Sequence, residues 1–316
     1  MKILAIETSC DETSVAVVQE RKVLSNIIKS QIADHTPYGG IIPEIASREH
    51  VKHIIPVLDN ALKDANITLE QIDAIAVTEK PGLLGSLLVG ISAAKTLALL
   101  LKKPLYLTDH LYGHLYSTWL YENDEQPEDF PFPILYLTVS GGHTILALMK
   151  KHGTVEYLGK TRDDAAGEAY DKVSYLLGGP YPGGPFIDNL AKQGNPQTIK
   201  FPRAMTNQHN YDFSFSGLKT AVAVYLKNPI HSEIPKANIA ASFQEAVVDS
   251  LLDKLKKASE EYHPALIMLA GGVSANSRLR EKAKKIFPTN LRYPKLKWCT
   301  DNAAMIGCAA YFTHNK

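Results

Sequence analysis

Cysteine is scarce in this sequence: three in 316 residues, Cys10, Cys299 and Cys308, with no CxxC pair. That excludes a disulfide-built small domain and a cysteine-rich zinc module. An odd, sparse count points to reduced thiols and a cytoplasmic location. An excess of either charge is lacking too. Lys and Arg number 34 against 33 Asp and Glu, a net charge of +1. Contact with nucleic acid must then rest on a local patch rather than on overall charge. Long hydrophobic runs are nearly absent. The apolar run 1–6 is too short for a signal peptide and is followed at once by Glu7. The one long apolar stretch, 83–101, is interrupted by Lys95 and rich in Gly, Ala and Ser. With no second span and no flanking basic cluster, it reads as a buried helix of an α/β lobe, and no membrane association is expected.

What is present is a repeat. Residues 3–18 align without a gap on residues 134–149, at a spacing of 131. Each copy is an apolar strand, a tight turn of small and polar residues, and a second apolar strand. A third strand follows in both, around 23–28 and 155–158. With 45% hydrophobic residues, each half can bury its own core. The pattern predicts a duplicated α/β domain. Helices are expected over 44–62, 83–101, 243–262 and 302–312, a buried strand over 265–269, and an acidic, Pro-rich linker over 123–133.

Several clusters carry candidate chemistry. His110 and His114 lie four apart, which on a helix puts both imidazoles on one face, as a divalent metal requires. Two surface or core histidines would give the same spacing. A zinc protease of the HExxH kind needs a Glu where this chain has Leu111. The strand that ends Thr138-Val139-Ser140-Gly141-Gly142 runs into a glycine turn that lets backbone approach a ligand, or that is only a hairpin turn. Asp164, Glu168 and Asp171 fall on one expected helical face. The segment 270–276 places a Gly-Gly turn between a buried strand and a helix, where α/β folds bind nucleotides; Ser274 would cap that helix equally well without a ligand. Asp301 is either the cap of the last helix or a metal ligand. Eight basic residues from Arg278 to Lys297, against the single acid Glu281, form a candidate polyanion-binding patch or a solvated face.

These motifs occur together and in order over nearly the whole chain. Segments 6–13, 38–50, 140–144, 163–172, 212–220, 271–276 and 300–302 resemble the tRNA adenosine threonylcarbamoyltransferases, the TsaD family, formerly described as glycoproteases. The resemblance implies an actin-like ATPase (ASKHA) fold: two duplicated RNase H-like α/β lobes with a central cleft, 1–130 plus 302–316 as lobe I and 131–301 as lobe II. It implies transfer of threonylcarbamoyl from threonylcarbamoyl-AMP to the exocyclic amine of adenosine 37 in tRNAs reading ANN codons. One divalent metal, iron with zinc as the alternative, would sit on His110, His114 and Asp301. Substrate would meet Thr138, Val139, Ser140, Gly141, Gly142, Asp171, Gly184, Asp188 and Asn276. ATP or another adenine nucleotide would enter the cleft.

Asp11 and Glu12, in the first hairpin turn, are expected to orient substrate or take the amine proton. The family implies a paralogous TsaB-type subunit and a TsaE-type ATPase as partners, the former on the 30–53 region and the helix after Pro81. Two departures stand out: Asp109 replaces a common first histidine, and Lys80 replaces a glycine before Pro81. A carbamoyl transferase acting on another acceptor and a metalloendopeptidase are the competing readings.

Overall fold

The structure is a computed structural model that describes residues 1–123, 125–205 and 210–314. It divides into two compact units, Met1–Asp129 with Pro294–Lys316, and Phe130–Tyr293. The chain re-enters the first unit at Pro294, earlier than the residue 302 expected, so Asp301 belongs with the two histidines and not with the second lobe. The expected linker joins the units without regular structure over 125–133; Asp124 lies outside the described residues.

The first unit begins with strands β1 (Lys2–Glu7), β2 (Glu12–Gln19) and β3 (Lys22–Ser30), then the short helix α1 (Ile32–His35) and the long helix α2 (Pro43–Ala65). Pro43 starts α2, where a missing N–H costs nothing, and Asn66 ends it in a left-handed conformation. There follow β4 (Ala74–Lys80), α3 (Leu84–Leu101), β5 (Leu105–Asp109) and α4 (His110–Tyr116). The second unit holds β6 (Ile134–Val139), β7 (Thr144–Lys151), β8 (Thr154–Lys160), α5 (Ala166–Leu176), α6 (Gly183–Ala191), α7 (Ser216–Lys227), α8 (Lys236–Tyr262), β9 (Leu266–Ala270), α9 (Ser277–Ile286) and β10 (Leu291–Arg292). The chain then returns to the first unit with α10 (Ala303–His314).

Each unit has a five-stranded sheet of the same topology, β3-β2-β1-β4-β5 in one and β8-β7-β6-β9-β10 in the other. Three antiparallel strands lead, and two parallel strands extend the edge. The repeat is visible in the hairpin register itself. Ile3 faces Val18, and the residues 131 positions on, Ile134 and Met149, face each other as well. Strand pairing therefore follows the gap-free alignment residue by residue, as duplication requires.

In the first unit, Leu4, Ile6, Val15, Val17, Ile75 and Val77 of the sheet pack against Ile54, Val57 and Ala61 of α2 and Ala94 and Ala98 of α3. Helix α10 covers strands β1 and β2 with a wholly buried run from Ala303 to Ala310. The second unit has its own core, in which Phe243, Val247 and Leu251 of α8 meet Leu135, Leu137 and Leu269 of the sheet.

Helix α3 differs from the expectation. It is the one helix among the described residues long and apolar enough to cross a membrane, yet only one face is buried. Ser86, Leu87, Gly90, Ala94 and Ala98 turn inward, while Leu84, Leu88, Leu99 and Leu100 are exposed. Small residues at the inward positions let the helix lie close to the sheet, and the larger leucines are left outside. The apolar run in the sequence therefore encodes two faces rather than one buried rod.

Candidate functional site

Strand β5 ends at Asp109, whose carboxylate accepts from Leu111 N at 2.8 Å and caps α4. That gives Asp109, noted above as a departure from the expected histidine, a structural role of its own. The cap starts the helix at His110, so His110 and His114 share one face, their rings 4.7 Å apart at 82°. Both are buried, His114 completely. Asp301 arrives from the segment before α10. Capping of α10 falls to its neighbour: Asn302 Oδ1 accepts from Met305 N at 3.0 Å, while Ser14 and Asn26 take the amides of Ala303 and Ala304. Asp301 is thereby released from the capping role that the sequence left open. Its Oδ1 lies 3.2 Å from His114 Nε2 and 3.6 Å from His110 Nε2.

The three residues offer ligand atoms within 4.8 Å of one another. Two imidazole nitrogens and one carboxylate oxygen form a donor set suited to a divalent transition metal. His114 provides the fit test. Neither of its ring nitrogens has a hydrogen-bond partner although both are buried, so the nearby Asp301 oxygen is close without being aligned to receive an N–H. A buried lone pair of that kind is costly unless a cation meets it.

His110 is anchored from behind. Its Nδ1 lies 3.0 Å from Glu7 Oε2 and 3.2 Å from Ser9 Oγ. Glu7 is fully buried and is held in turn by Thr78 Oγ1 and by Ser9 N, each at 2.5 Å. Burial lowers the His110 pKa, but the Asp301 and Glu7 carboxylates outweigh it and raise it to about 9. A divalent cation on Nε2 would take the place of that second proton. The sequence reading missed Glu7, Ser9 and Thr78. One signal was available, an acid that follows directly on the apolar run Ile3-Leu4-Ala5-Ile6 of a strand: a buried carboxylate requires a partner.

Asp11 closes the β1–β2 turn, and Glu12, expected in the turn, is the first residue of β2. Burial, reinforced by Asp301, raises the Asp11 carboxyl. Burial and the adjacent Asp11 raise Glu12 to about 8. Glu12 Oε1 accepts from Ser30 Oγ at 3.0 Å, while its Oε2 is buried without a partner. A carboxyl group that exchanges its proton near neutral pH suits general acid–base work. Cys10 beside them is pushed up by burial and by Asp11, so it stays a thiol and is a poor nucleophile.

The second unit gathers its own set of sequence-predicted positions at the carboxyl ends of the parallel strands β6 and β9, where open α/β sheets bind ligands. Residues 138–142 leave β6, and Ser140 N closes the turn on His143 O at 2.7 Å. Gly141 and Gly142 have open space where a side chain would project, as does Gly184. Nothing in the fold demands glycine there, which leaves the backbone free for a ligand. Gly271 is the opposite case: its φ is +81°, and a Cβ would stand 2.5 Å from Val139 O.

Asp171 accepts from Gly183 N at 2.7 Å, so it fixes the start of α6. Asp188 accepts from Ser277 Oγ at 2.8 Å. Asn276 caps α9 through Leu279 N and donates to Gln244 Oε1 at 2.7 Å, so both ends of its amide are engaged within the fold. The expected single acidic face is not formed. Helix α5 starts at Ala166, after Asp163 and Asp164. Asp163 instead holds the start of α7, and Asp164 pairs with Lys172 and Lys219.

The basic run is also less available than its sequence implies. Among the described residues, at least five of its members are ion-paired: Arg278 and Lys282 with the buried Glu245, Lys285 with Glu281, Lys295 with Glu125 and Lys297 with Glu122. Lys282 also reaches Asp249.

Comparison with known proteins follows the same direction. A family model described as TsaD, tRNA N6-adenosine threonylcarbamoyltransferase, matches residues 22–308. A protein of that name from Thermomicrobium roseum is 51% identical over 99% of this chain and 92% of its own length. Another from Kosmotoga olearia is 49% identical over 98% and 93%. Among solved structures, full-length HypF in a phosphate- and nucleotide-bound form has a TM-score of 0.63 at 12% identity, covering 99% of this chain and 55% of its own. Component A of the Acidaminococcus fermentans (R)-2-hydroxyglutaryl-CoA dehydratase gives 0.58 at 12% identity, covering 100% and 98%. At that identity these two speak for a shared fold alone.

Proposed function

The chain belongs to the tRNA N6-adenosine threonylcarbamoyltransferase family, and on that premise we propose that it moves the threonylcarbamoyl group of threonylcarbamoyl-AMP onto N6 of adenosine 37 in tRNAs reading ANN codons. It is a transferase that modifies tRNA. In the step we assign to it, N6 attacks the carbamoyl carbon, the bond from that carbon to the phosphate oxygen breaks, AMP leaves with the electron pair, and N6 gives up one proton. The donor is a mixed anhydride and already activated, so the protein's task is to position it and to manage charge and proton.

The observation that carries the site assignment is the convergence of His110, His114 and Asp301 from two distant segments, with His114 nitrogens buried and unpartnered. These three would hold one divalent cation, iron with zinc as the alternative, which supplies Lewis-acid stabilisation of oxygen charge. Glu12, whose carboxyl titrates near neutral pH, is assigned to accept the N6 proton, and Asp11 to orient the substrate. The open glycines Gly141, Gly142 and Gly184, with backbone from 138 to 142 and around Asn276, are assigned to the adenylate. Asp171 and Asp188 support that region by holding α6 and α9 in place. An adenine nucleotide is expected to compete for it.

We assign the exposed apolar residues Val51 and Ile55 of α2 and Leu84 and Leu88 of α3 to a paralogous TsaB-type subunit, with a TsaE-type ATPase completing a cytoplasmic assembly. Large apolar side chains left exposed on neighbouring helices support an interaction face there. The test is direct. The chain and its partner proteins are incubated with threonylcarbamoyl-AMP and unmodified tRNA, and the nucleosides are analysed by mass spectrometry. N6-threonylcarbamoyladenosine is expected with the partners present and little without them. Transfer to a small-molecule amine in its place, or robust turnover by the isolated chain, would contradict this reading.

A further inference from the structure

Besides the bond from Leu83 N to Ser9 O, four hydrogen bonds from Ser30, Gln31 and His50 grip the end of the β1–β2 turn and the start of β2, from Cys10 to Thr13. His50 Nε2 lies 2.9 Å from Cys10 O. Gln31 N donates to Asp11 O at 3.0 Å. Ser30 Oγ donates to Glu12 Oε1 at 3.0 Å. Thr13 Oγ1 lies 2.7 Å from His50 Nδ1. Gln31 is itself held by His35, whose Nε2 lies 3.2 Å from Gln31 Oε1, and whose Nδ1 accepts from Ile42 N at 3.3 Å.

One proton arrangement satisfies every donor and acceptor in this chain of contacts. Ile42 N–H can only donate, so His35 Nδ1 accepts and His35 Nε2–H donates to Gln31 Oε1. The Gln31 amide then donates to Ala46 O and towards His50 Nδ1. His50 Nδ1 therefore accepts, the Thr13 hydroxyl donates to it, and His50 Nε2–H donates to Cys10 O. Every member finds a consistent role with both imidazoles neutral. Thr13, Gln31, His35 and His50 are all fully buried. Burial lowers the His50 pKa, which keeps it in the neutral form that this arrangement needs.

We propose that Gln31, His35 and His50 form a positioning relay, which fixes the Asp11–Glu12 turn and couples it to the segment between His35 and Ile42. The outer end of the relay is exposed, with Tyr38 61% accessible. Whatever orders that segment also orders the turn, and loosening it releases Gln31 and then the Asp11 carbonyl. A fully satisfied buried polar network holds one arrangement, whereas a broken one leaves costly unpaired groups. The catalytic consequence rests on the assignment of Asp11 and Glu12 above; the conformational one does not.

The test separates the two. Amide exchange is followed by NMR in the full-length chain for wild type, His35→Phe, His50→Phe and the isosteric Thr13→Val, with His50→Gln as the rescue because its amide can still donate to Cys10 O. The Gln31 amide, which binds Asp11 O, is expected to exchange about tenfold faster or more in His50→Phe and His35→Phe, and nearer the wild-type rate in His50→Gln. The amides of β4 are expected to stay unchanged. In the reconstituted assay kcat should fall with KM unaltered. Wild-type exchange at Gln31 in folded His35→Phe and Thr13→Val would overturn the relay, and so would exchange that rises equally across the whole sheet. Full activity of Asp11→Asn and Glu12→Gln would remove the catalytic assignment of the turn; exchange at Gln31 would still decide the relay.

Discussion

Glu7 Oε2 stands 3.0 Å from His110 Nδ1, a fully buried carboxylate set behind a candidate metal ligand. The contact keeps a proton on Nδ1 and leaves Nε2 turned towards Asp301. Carboxylates in this position typically orient a ligating imidazole and raise its basicity. Glu7→Gln keeps the shape and removes the charge. Metal affinity, measured by chelator competition on the purified protein, should drop about 10–100-fold, while circular dichroism stays that of wild type. Unchanged affinity would reduce Glu7 to a packing role.

Glu12 gives a pH signature. Its carboxyl is raised to about 8 by burial and by Asp11, against about 4.3 in an unfolded chain. Between those values the folded chain holds a proton that the unfolded chain has lost. The contribution to stability is thus complete below the unfolded value and is lost as pH rises towards 8. Urea unfolding midpoints should fall across that window in wild type, and this component of the slope should vanish in Glu12→Gln. Transfer should instead rise with pH through about 8, as a proton acceptor must, and Glu12→Gln should be slow at every pH.

Glycine positions should separate fold from function. Gly141→Ala places its methyl in open space, so thermal stability is expected to hold while donor binding weakens. Gly271→Ala meets Val139 O and a left-handed backbone, and should cost about 2–4 kcal/mol in a denaturant titration. Equal stability losses in the two variants would remove the assignment of the Gly141 turn to a ligand.

The basic run offers a further contrast. Lys282 is tied to Glu245 and Asp249, so Lys282→Ala should destabilise by about 1–3 kcal/mol whatever it does to tRNA. Lys284→Ala should leave stability within about 0.5 kcal/mol. If Lys284 meets phosphate, filter-binding titrations should show weaker tRNA binding and a shallower salt dependence. A Lys284 variant that binds tRNA as wild type does would place the nucleic acid elsewhere.

These contrasts show where the sequence was readable. The two hairpins were legible because strand pairing is local and keeps register over the repeat, so Ile3 and Val18 announce Ile134 and Met149. The His110–His114 spacing was legible because a helix turns such a spacing into a shared face. The third ligand was ambiguous, since only tertiary packing shows that Asn302, not Asp301, caps α10. The charges from Arg278 to Lys297 looked free because their acids, Glu245, Asp249, Glu122 and Glu125, lie on other elements. Asn276 and Asp188 entered through family resemblance as substrate contacts, and the structure shows their side chains occupied with helix starts. The leucines of α3 looked like core because composition does not reveal which face a small-residue stripe will bury.

The central claim is that His110, His114 and Asp301 hold the cation needed for threonylcarbamoyl transfer. The most direct test measures metal content and single-turnover transfer on the same samples of wild type and Asp301→Ala, prepared without oxygen and checked for folding. Wild type should carry one metal ion per chain and convert adenosine in tRNA, while Asp301→Ala remains folded, loses the metal and transfers nothing. Wild-type transfer by an Asp301→Ala sample that lacks metal, or full metal occupancy in that variant, would contradict the account.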